Sequence, residues 1–150
     1  MIVANWKCNG SKVMINEWTN NFLTNYVETK KTFIGIAPPS IYIESVLKTE
    51  LSKLKEINIG SQDIDISSGA RTGAISSEMI LDFDCKFSII GHSERRQFFN
   101  EKNDEIKQKI LKIANKTLTI LCVGETEEEN NNGQTKYVLK RQLEVIKDIE

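Results

Sequence analysis

The chain has 150 residues, a formal net charge of -1, 39% hydrophobic residues and 27% charged ones. That is enough apolar material for one globular core, and it leaves no charge excess to draw nucleic acid or an anionic membrane surface. No apolar run approaches the roughly 18 residues of a membrane-spanning helix.

Residues 2 to 7 read as a first strand ending in polar groups. Met1 to Lys7 lacks the basic and then long apolar pattern of a signal peptide. Asn9-Gly10-Ser11 is a turn, with Ser11 placed to cap a helix over Lys12 to Tyr26, where Ile15, Trp18, Phe22, Leu23 and Tyr26 recur at helical spacing. Lys30-Lys31 leads into a second strand, Thr32 to Ala37. Pro38-Pro39 stops it, because proline offers no N–H to a ladder. Ser40 is expected to cap a short helix, and Ile57 to Ser61 is a third strand.

Gln62 to Ile75 is long for a strand-to-helix connection, which marks it as a functional loop or an interaction arm. Ser76-Ser77-Glu78 opens a short helix with Met79, Ile80 and Leu81. Phe87 to Gly91 is a fourth, buried strand, followed at once by His92, the only histidine. Asp104 is expected to cap a helix carrying Ile106, Ile110 and Ile113. Thr117 to Val123 is a fifth strand, ending in Gly124-Glu125. Glu127 to Gly133 reads as a polar, exposed stretch, and a last helix runs from about Lys136 to Glu150.

Five strands alternating with five helices imply a parallel sheet with right-handed crossovers. No linker or composition shift divides the chain, so residues 1 to 150 are expected to form a single domain. Two architectures fit. One is a flavodoxin-like doubly wound sheet that binds phosphate. The other is the first five βα units of a (β/α)8 barrel, which typically needs about 250 residues. In both, ligands gather beyond the carboxyl ends of the strands. Receiver-like doubly wound domains carry acids at the end of the first strand; this chain carries Asn5 and Lys7 there.

Taken alone, the residues at these ends have plain readings. A strand-end lysine is usually solvated, a lone histidine is usually structural, and Glu94 is a first-turn acid favoured by the helix dipole. Cys122 reads as a small core residue. Cys8, Cys85 and Cys122 are odd in number and widely spaced, which suits a reducing compartment and gives no disulfide framework or zinc pattern.

Together the motifs point further. Asn5-Trp6-Lys7-Cys8-Asn9-Gly10, Ala37-Pro38-Pro39, Gly69-Ala70-Arg71-Thr72-Gly73, Gly91-His92-Ser93-Glu94-Arg95-Arg96 and Cys122-Val123-Gly124-Glu125 resemble, in order and spacing, those of triosephosphate isomerase. The resemblance implies a TIM barrel, present here as its first five βα units. It also implies a cytoplasmic enzyme of glycolysis and gluconeogenesis, interconverting dihydroxyacetone phosphate and glyceraldehyde 3-phosphate through an enediolate, with no cofactor or metal. Lys7 and Asn5 would bind the substrate and Lys7 would stabilise its charge. His92 would match the family's neutral electrophile, held neutral by a helix N-terminus; the family is the standard illustration of that tuning. Ser93, Glu94 and Cys122 would support these groups from behind, and Glu125 would pair with Arg95 or Arg96.

The loop from Gln62 would be the arm of a homodimer, with Thr72, Gly73 and Arg95 at the interface. One departure stands out: the family commonly has glutamate after Thr-Gly, and here it is Ala74. The family's glutamate base lies on a sixth strand, and most of its phosphate grip comes from later loops. The resemblance therefore makes residues 1 to 150 an N-terminal part with an incomplete site, inactive alone. The competing readings are a catalytically dead partial barrel and the doubly wound domain.

Overall fold

A computed structural model describes residues 1–28 and 32–149. The Lys30-Lys31 lead-in and Glu150 of the last expected helix lie outside the described residues. Five strands form one parallel sheet: β1 Ile2–Asn5, β2 Ile34–Ala37, β3 Ile57–Ser61, β4 Phe87–Ile90 and β5 Leu118–Leu121. Among the described residues the α-helices number seven, not five: α1 Lys12–Asn25, α2 Ile43–Leu47, α3 Ser77–Asp82, α4 Ser93–Phe98, α5 Asn103–Ile113, α6 Glu127–Asn131 and α7 Thr135–Leu143. None of them is long and apolar enough to cross a membrane.

The sheet order is β1-β2-β3-β4-β5. Every strand pairs with its neighbour in sequence, Asn5 facing Ala37, Ile36 facing Ile59, Ser61 facing Ser88 and Ile90 facing Leu121. A doubly wound sheet reverses its strand order at a switch point; this sheet never does. It is a curled half of a (β/α)8 barrel, and the doubly wound alternative falls.

Side chains alternate between the sheet's two faces because the strand period is two. Ile36, Ile59 and Ile90 point outward and pack with Ile15, Val46 and Ile106 of the helices. Val3, Ala37, Phe87, Ile89 and Ile120 point to the concave side. Phe87 is fully buried, and its ring lies across two glycines of neighbouring strands. A Cβ placed on Gly60 would meet the Phe87 ring at 2.6 Å, and one on Gly35 would meet it at 2.9 Å. Phe33 closes the ring's other side, edge to face at 5.8 Å.

The Ser11 hydroxyl accepts the Met14 N–H at 3.0 Å and starts α1. Trp6, just past β1, meets Trp18 edge-on at 5.4 Å. Trp18 stacks on Phe22 and Phe22 on Tyr26, each pair at 5.2 Å, as i, i+4 neighbours do. This ladder fastens the carboxyl end of β1 to its helix.

Several local expectations are corrected. Ser40 caps nothing: Pro39 starts a 3-10 turn over Ser40–Tyr42, and α2 follows without a side-chain cap. Asp104 lies inside the first turn of α5, where the Glu105 carboxylate accepts the Lys102 N–H at 3.0 Å. The polar stretch after Glu125 is a helix, α6, closed by a capping box. There the Thr126 hydroxyl accepts the Glu129 N–H and the Glu129 carboxylate accepts the Thr126 N–H. The last helix ends at Leu143 and tightens into a 3-10 turn over Glu144–Ile146.

Candidate active site

The carboxyl ends of β1, β3 and β4 bring Asn5, Lys7, Gln62, Asp63, His92 and Glu94 around one cleft of about 300 Å³. Lys7 has a left-handed backbone, φ 53°, a sparsely populated conformation for a residue with a Cβ. The Asn5 side chain helps hold it there, its Oδ1 accepting the Lys7 N–H at 2.9 Å. Trp6 is pinned on the other side, donating its N–H to the Ala37 carbonyl at 3.0 Å. Strain of this kind persists only where the surroundings over-determine it. Here it aims the lysine stem along the cleft.

The Lys7 ammonium lies 2.8 Å from Glu94 Oε1. That bond, with the lysine's charge, holds the Glu94 carboxyl below the usual carboxylate range against the opposing effect of burial. Both side chains are about half exposed, at 51% and 41%, so the pair is screened by water and serves orientation more than stability.

Gly91 turns the chain out of β4 with φ 72°. A Cβ there would lie 3.0 Å from the Ile106 side chain, so both the backbone and the packing call for glycine. His92 follows as the N-cap of α4, and its Nδ1 accepts the Glu94 N–H at 3.2 Å. An accepting Nδ1 leaves the ring proton on Nε2 in the neutral tautomer. The cleft is thus bordered by one ammonium and one imidazole N–H donor.

Ser93 opens α4 with its side chain exposed. Cys122 sits on the concave side beside Phe87 and Ile89, where burial pushes its thiol pKa up and Arg96 offsets part of the rise. A raised pKa makes the thiol a poor nucleophile. Glu125 departs from expectation: it pairs with neither arginine. Its Oε1 accepts from Asn130 Nδ2 at 2.8 Å and from the Thr135 hydroxyl at 3.0 Å, tying α6 to α7.

The long connection is ordered by its own ties. Ile64 is buried, Asp65 donates its N–H to the Ile75 carbonyl at 2.8 Å, and Arg71 Nε lies 2.6 Å from Asp65 Oδ1. Gln62 is held at the strand end, donating to the Ala37 carbonyl at 2.8 Å. The tip, with Thr72 and Gly73, is exposed. Arg95 does not join that tip. It turns inward, its Nε 2.9 Å from Asp63 Oδ2 and 3.6 Å from Glu101 Oε2.

Two features escaped the sequence reading. One is a buried cluster of charges: Lys109 donates to both oxygens of Asp63, at 2.8 and 2.9 Å, and also to Glu101. Lys109 and Glu101 are buried, and no periodicity announces a buried lysine. The other is Gln142 of α7, which exchanges two hydrogen bonds with the backbone of Gly124, at 2.8 and 2.9 Å. That pair fixes the loop after β5 from a helix expected only to pack. Among the described residues no three metal-binding side chains converge.

Comparison with known proteins points to one family. A family profile for triosephosphate isomerase matches residues 1–149. Triosephosphate isomerases of Klebsiella pneumoniae and of two Salmonella, paratyphi B and newport, are each 38% identical over 148 residues. The matched segment is 97% of this chain and 57% of each relative, so the chain spans little more than half the length of the proteins it matches.

Proposed function

Since this chain belongs to the triosephosphate isomerase family, we propose that its cleft serves the interconversion of dihydroxyacetone phosphate and glyceraldehyde 3-phosphate in glycolysis and gluconeogenesis. The observation that carries the reading is the convergence of Lys7, His92 and Glu94 at the carboxyl end of the sheet, with Nδ1 of His92 already occupied. Nε2–H then donates to the substrate carbonyl as an enediolate forms and passes a proton between its two oxygens. Lys7 stabilises the phosphate and the developing oxyanion, and Asn5 holds Lys7 in its strained backbone while lining the pocket. Glu94 orients the ammonium, and Ser93 and Cys122 support the histidine's surroundings. The reaction moves protons within one molecule and requires no cofactor or metal.

The carboxylates around the cleft are committed: Glu94 to Lys7, and Asp63 to Lys109 and Arg95. We therefore take the carbon-acid base, and most of the phosphate grip, to come from outside residues 1 to 150. On this reading the 150-residue chain is a single domain that does not isomerise by itself. The complete protein is a cytoplasmic homodimer joined through the arm, with Gln62, Thr72, Gly73 and Arg95 at or behind the contact.

A coupled isomerisation assay tests this on the purified chain, alone and mixed with a fragment carrying the sixth to eighth βα units of a relative. Activity only in the mixture supports the division of the site. A further drop of roughly 10²- to 10⁴-fold on His92→Gln supports the histidine's role. Activity from the chain alone overturns the division. No activity in a mixture shown to associate favours the second reading, a catalytically dead partial barrel whose carboxylates are all engaged.

A further inference from the structure

The helix that carries the histidine is held in an unusual way. α4 has six residues and buries none of them, and Phe98 and Phe99 at its end are 70% and 67% exposed. So short a helix has little stability of its own, and this one presents no apolar face to the core. Its fastenings are polar, and most are local. Arg96 donates to the Gly91 carbonyl and to Asn103, and Glu101 donates its N–H to the Arg95 carbonyl. The Phe99 ring lies 4.6 Å from the Arg95 guanidinium. These partners lie on the same connection or, for Asn103, at the start of α5, so none of them reaches back to β1 or β3.

Among the described residues, two ties reach another part of the sheet. One is Lys7 to Glu94, half exposed and open to water and salt. The other is the charge contact of Arg95 with Asp63, two residues past the end of β3. Nε lies 2.9 Å from Oδ2, but its N–H is not aimed at the carboxylate and makes no hydrogen bond, so the attraction is between the charges. Asp63 is itself fixed through both carboxylate oxygens by the buried Lys109 of α5. From this geometry we propose that Asp63 is a positioning residue: by holding Arg95 from the end of β3 it aims α4, and with it His92 and Glu94.

A partly exposed ion pair of this sort adds little to global stability, because screening and desolvation offset the attraction. Its contribution is to select one arrangement of α4. The proposal deepens the isomerase reading, since the aim of His92 matters to that reaction. It concerns the order of a helix, however, and its test needs no activity.

Hydrogen exchange on the 150-residue chain at pH 7.5 decides it, together with the NMR signals of its only imidazole. In Asp63→Ala, amides 93–98 are expected to exchange about tenfold faster or more, as local opening follows the loss of local ties. The His92 signals shift or broaden, while β2 and β5 keep their protection. Asp63→Asn keeps the size of the side chain but not the charge that attracts the guanidinium, and is expected to leave most of the acceleration in place. Full protection in Asp63→Asn overturns the charge contact as the tie. Amides 93–98 within about threefold of the parent in Asp63→Ala overturn the proposal, as does an acceleration spread evenly over the sheet, which marks a merely structural loss. If Asp63→Ala does not fold, Arg95→Met removes the same tie from the helix side. Faster exchange confined to 93–98 supports the proposal there, and unchanged exchange refutes it.

Discussion

Replacing Gly60 by alanine tests the packing on the concave side of the sheet. A Cβ at this position falls 2.6 Å from three atoms of the Phe87 ring, well inside the contact distance of two carbons. The ring has little room to swing: it already lies over the Gly35 backbone, where even an added Cβ would come within 2.9 Å of it, and Phe33 meets it edge to face at 5.8 Å. Either Phe87 leaves its rotamer or β3 and β4 separate at the Gly60–Phe87 pairing. Overpacking of this type costs about 1–3 kcal/mol. The smaller entropy of the unfolded alanine chain returns about 0.4–1 kcal/mol, so a net loss of about 1–2 kcal/mol is expected. Urea unfolding followed by far-UV circular dichroism measures it. The control is the same change made in a Phe87→Leu background, where the ring is gone and the cost should shrink to about 0.5 kcal/mol or less, a coupling that contacting residues show. Equal costs in the two backgrounds would falsify the steric explanation.

Three further outcomes are expected. Lys7→Met should weaken binding of a phosphate-bearing inhibitor to the complemented enzyme and let the Glu94 carboxyl rise toward its ordinary pKa, read by carboxyl NMR titration; an unchanged Glu94 titration refutes the pair. Burial pushes the Asp63 carboxyl up to about 6, against the pull of Lys109 and Arg95. The folded chain thus takes up a proton that the unfolded chain does not between about pH 6 and the unfolded value of 3.8, so Asp63 adds stability as pH falls through that window. Relative to Asp63→Asn, the parent should gain urea resistance from pH 7 to pH 5; a parallel course of the two proteins contradicts the shift. Cys8 is exposed, Cys85 is buried with its thiol pushed up to about 11, and the Cys122 thiol is raised by burial. A disulfide reagent should modify one thiol quickly in the folded chain, and Cys8→Ser should abolish that fast phase; a fast phase that survives places the reactive thiol elsewhere.

The strands and long helices were legible because their signals are local and repeated. Ile15, Trp18 and Phe22 mark one face of α1, and the apolar run from Phe87 marks a buried strand. Sheet order was not legible from period alone. It became so through motifs such as Asn5-Trp6-Lys7 and Gly91-His92-Ser93, which sit at strand ends in the family's sequence. The missed helix α6 carried a readable sign, the Thr126–Glu129 capping box, hidden by a run of glutamates and asparagines that suggested only solvation. The Lys109 cluster had no such sign. Its partners Asp63 and Glu101 come from separate connections, and only the fold makes them neighbours. The misassigned caps, Ser40 and Asp104, failed because a proline and a glutamate nearby offered the backbone another way to begin each helix.

The unbroken order of the sheet bears on how the chain finds its structure. Each strand pairs only with the next one, as Ile2 does with Ile34 and Phe87 with Leu118. Every pairing therefore closes a loop of similar length, and the closure entropy is spread evenly along the chain instead of falling on one long-range contact. Such a chain behaves like a short linear array, in which an interior βα unit can nucleate and growth proceeds toward either end. Folding kinetics should report that directionality: substitutions in β3 should slow folding most, while those in β1 and β5 should chiefly speed unfolding.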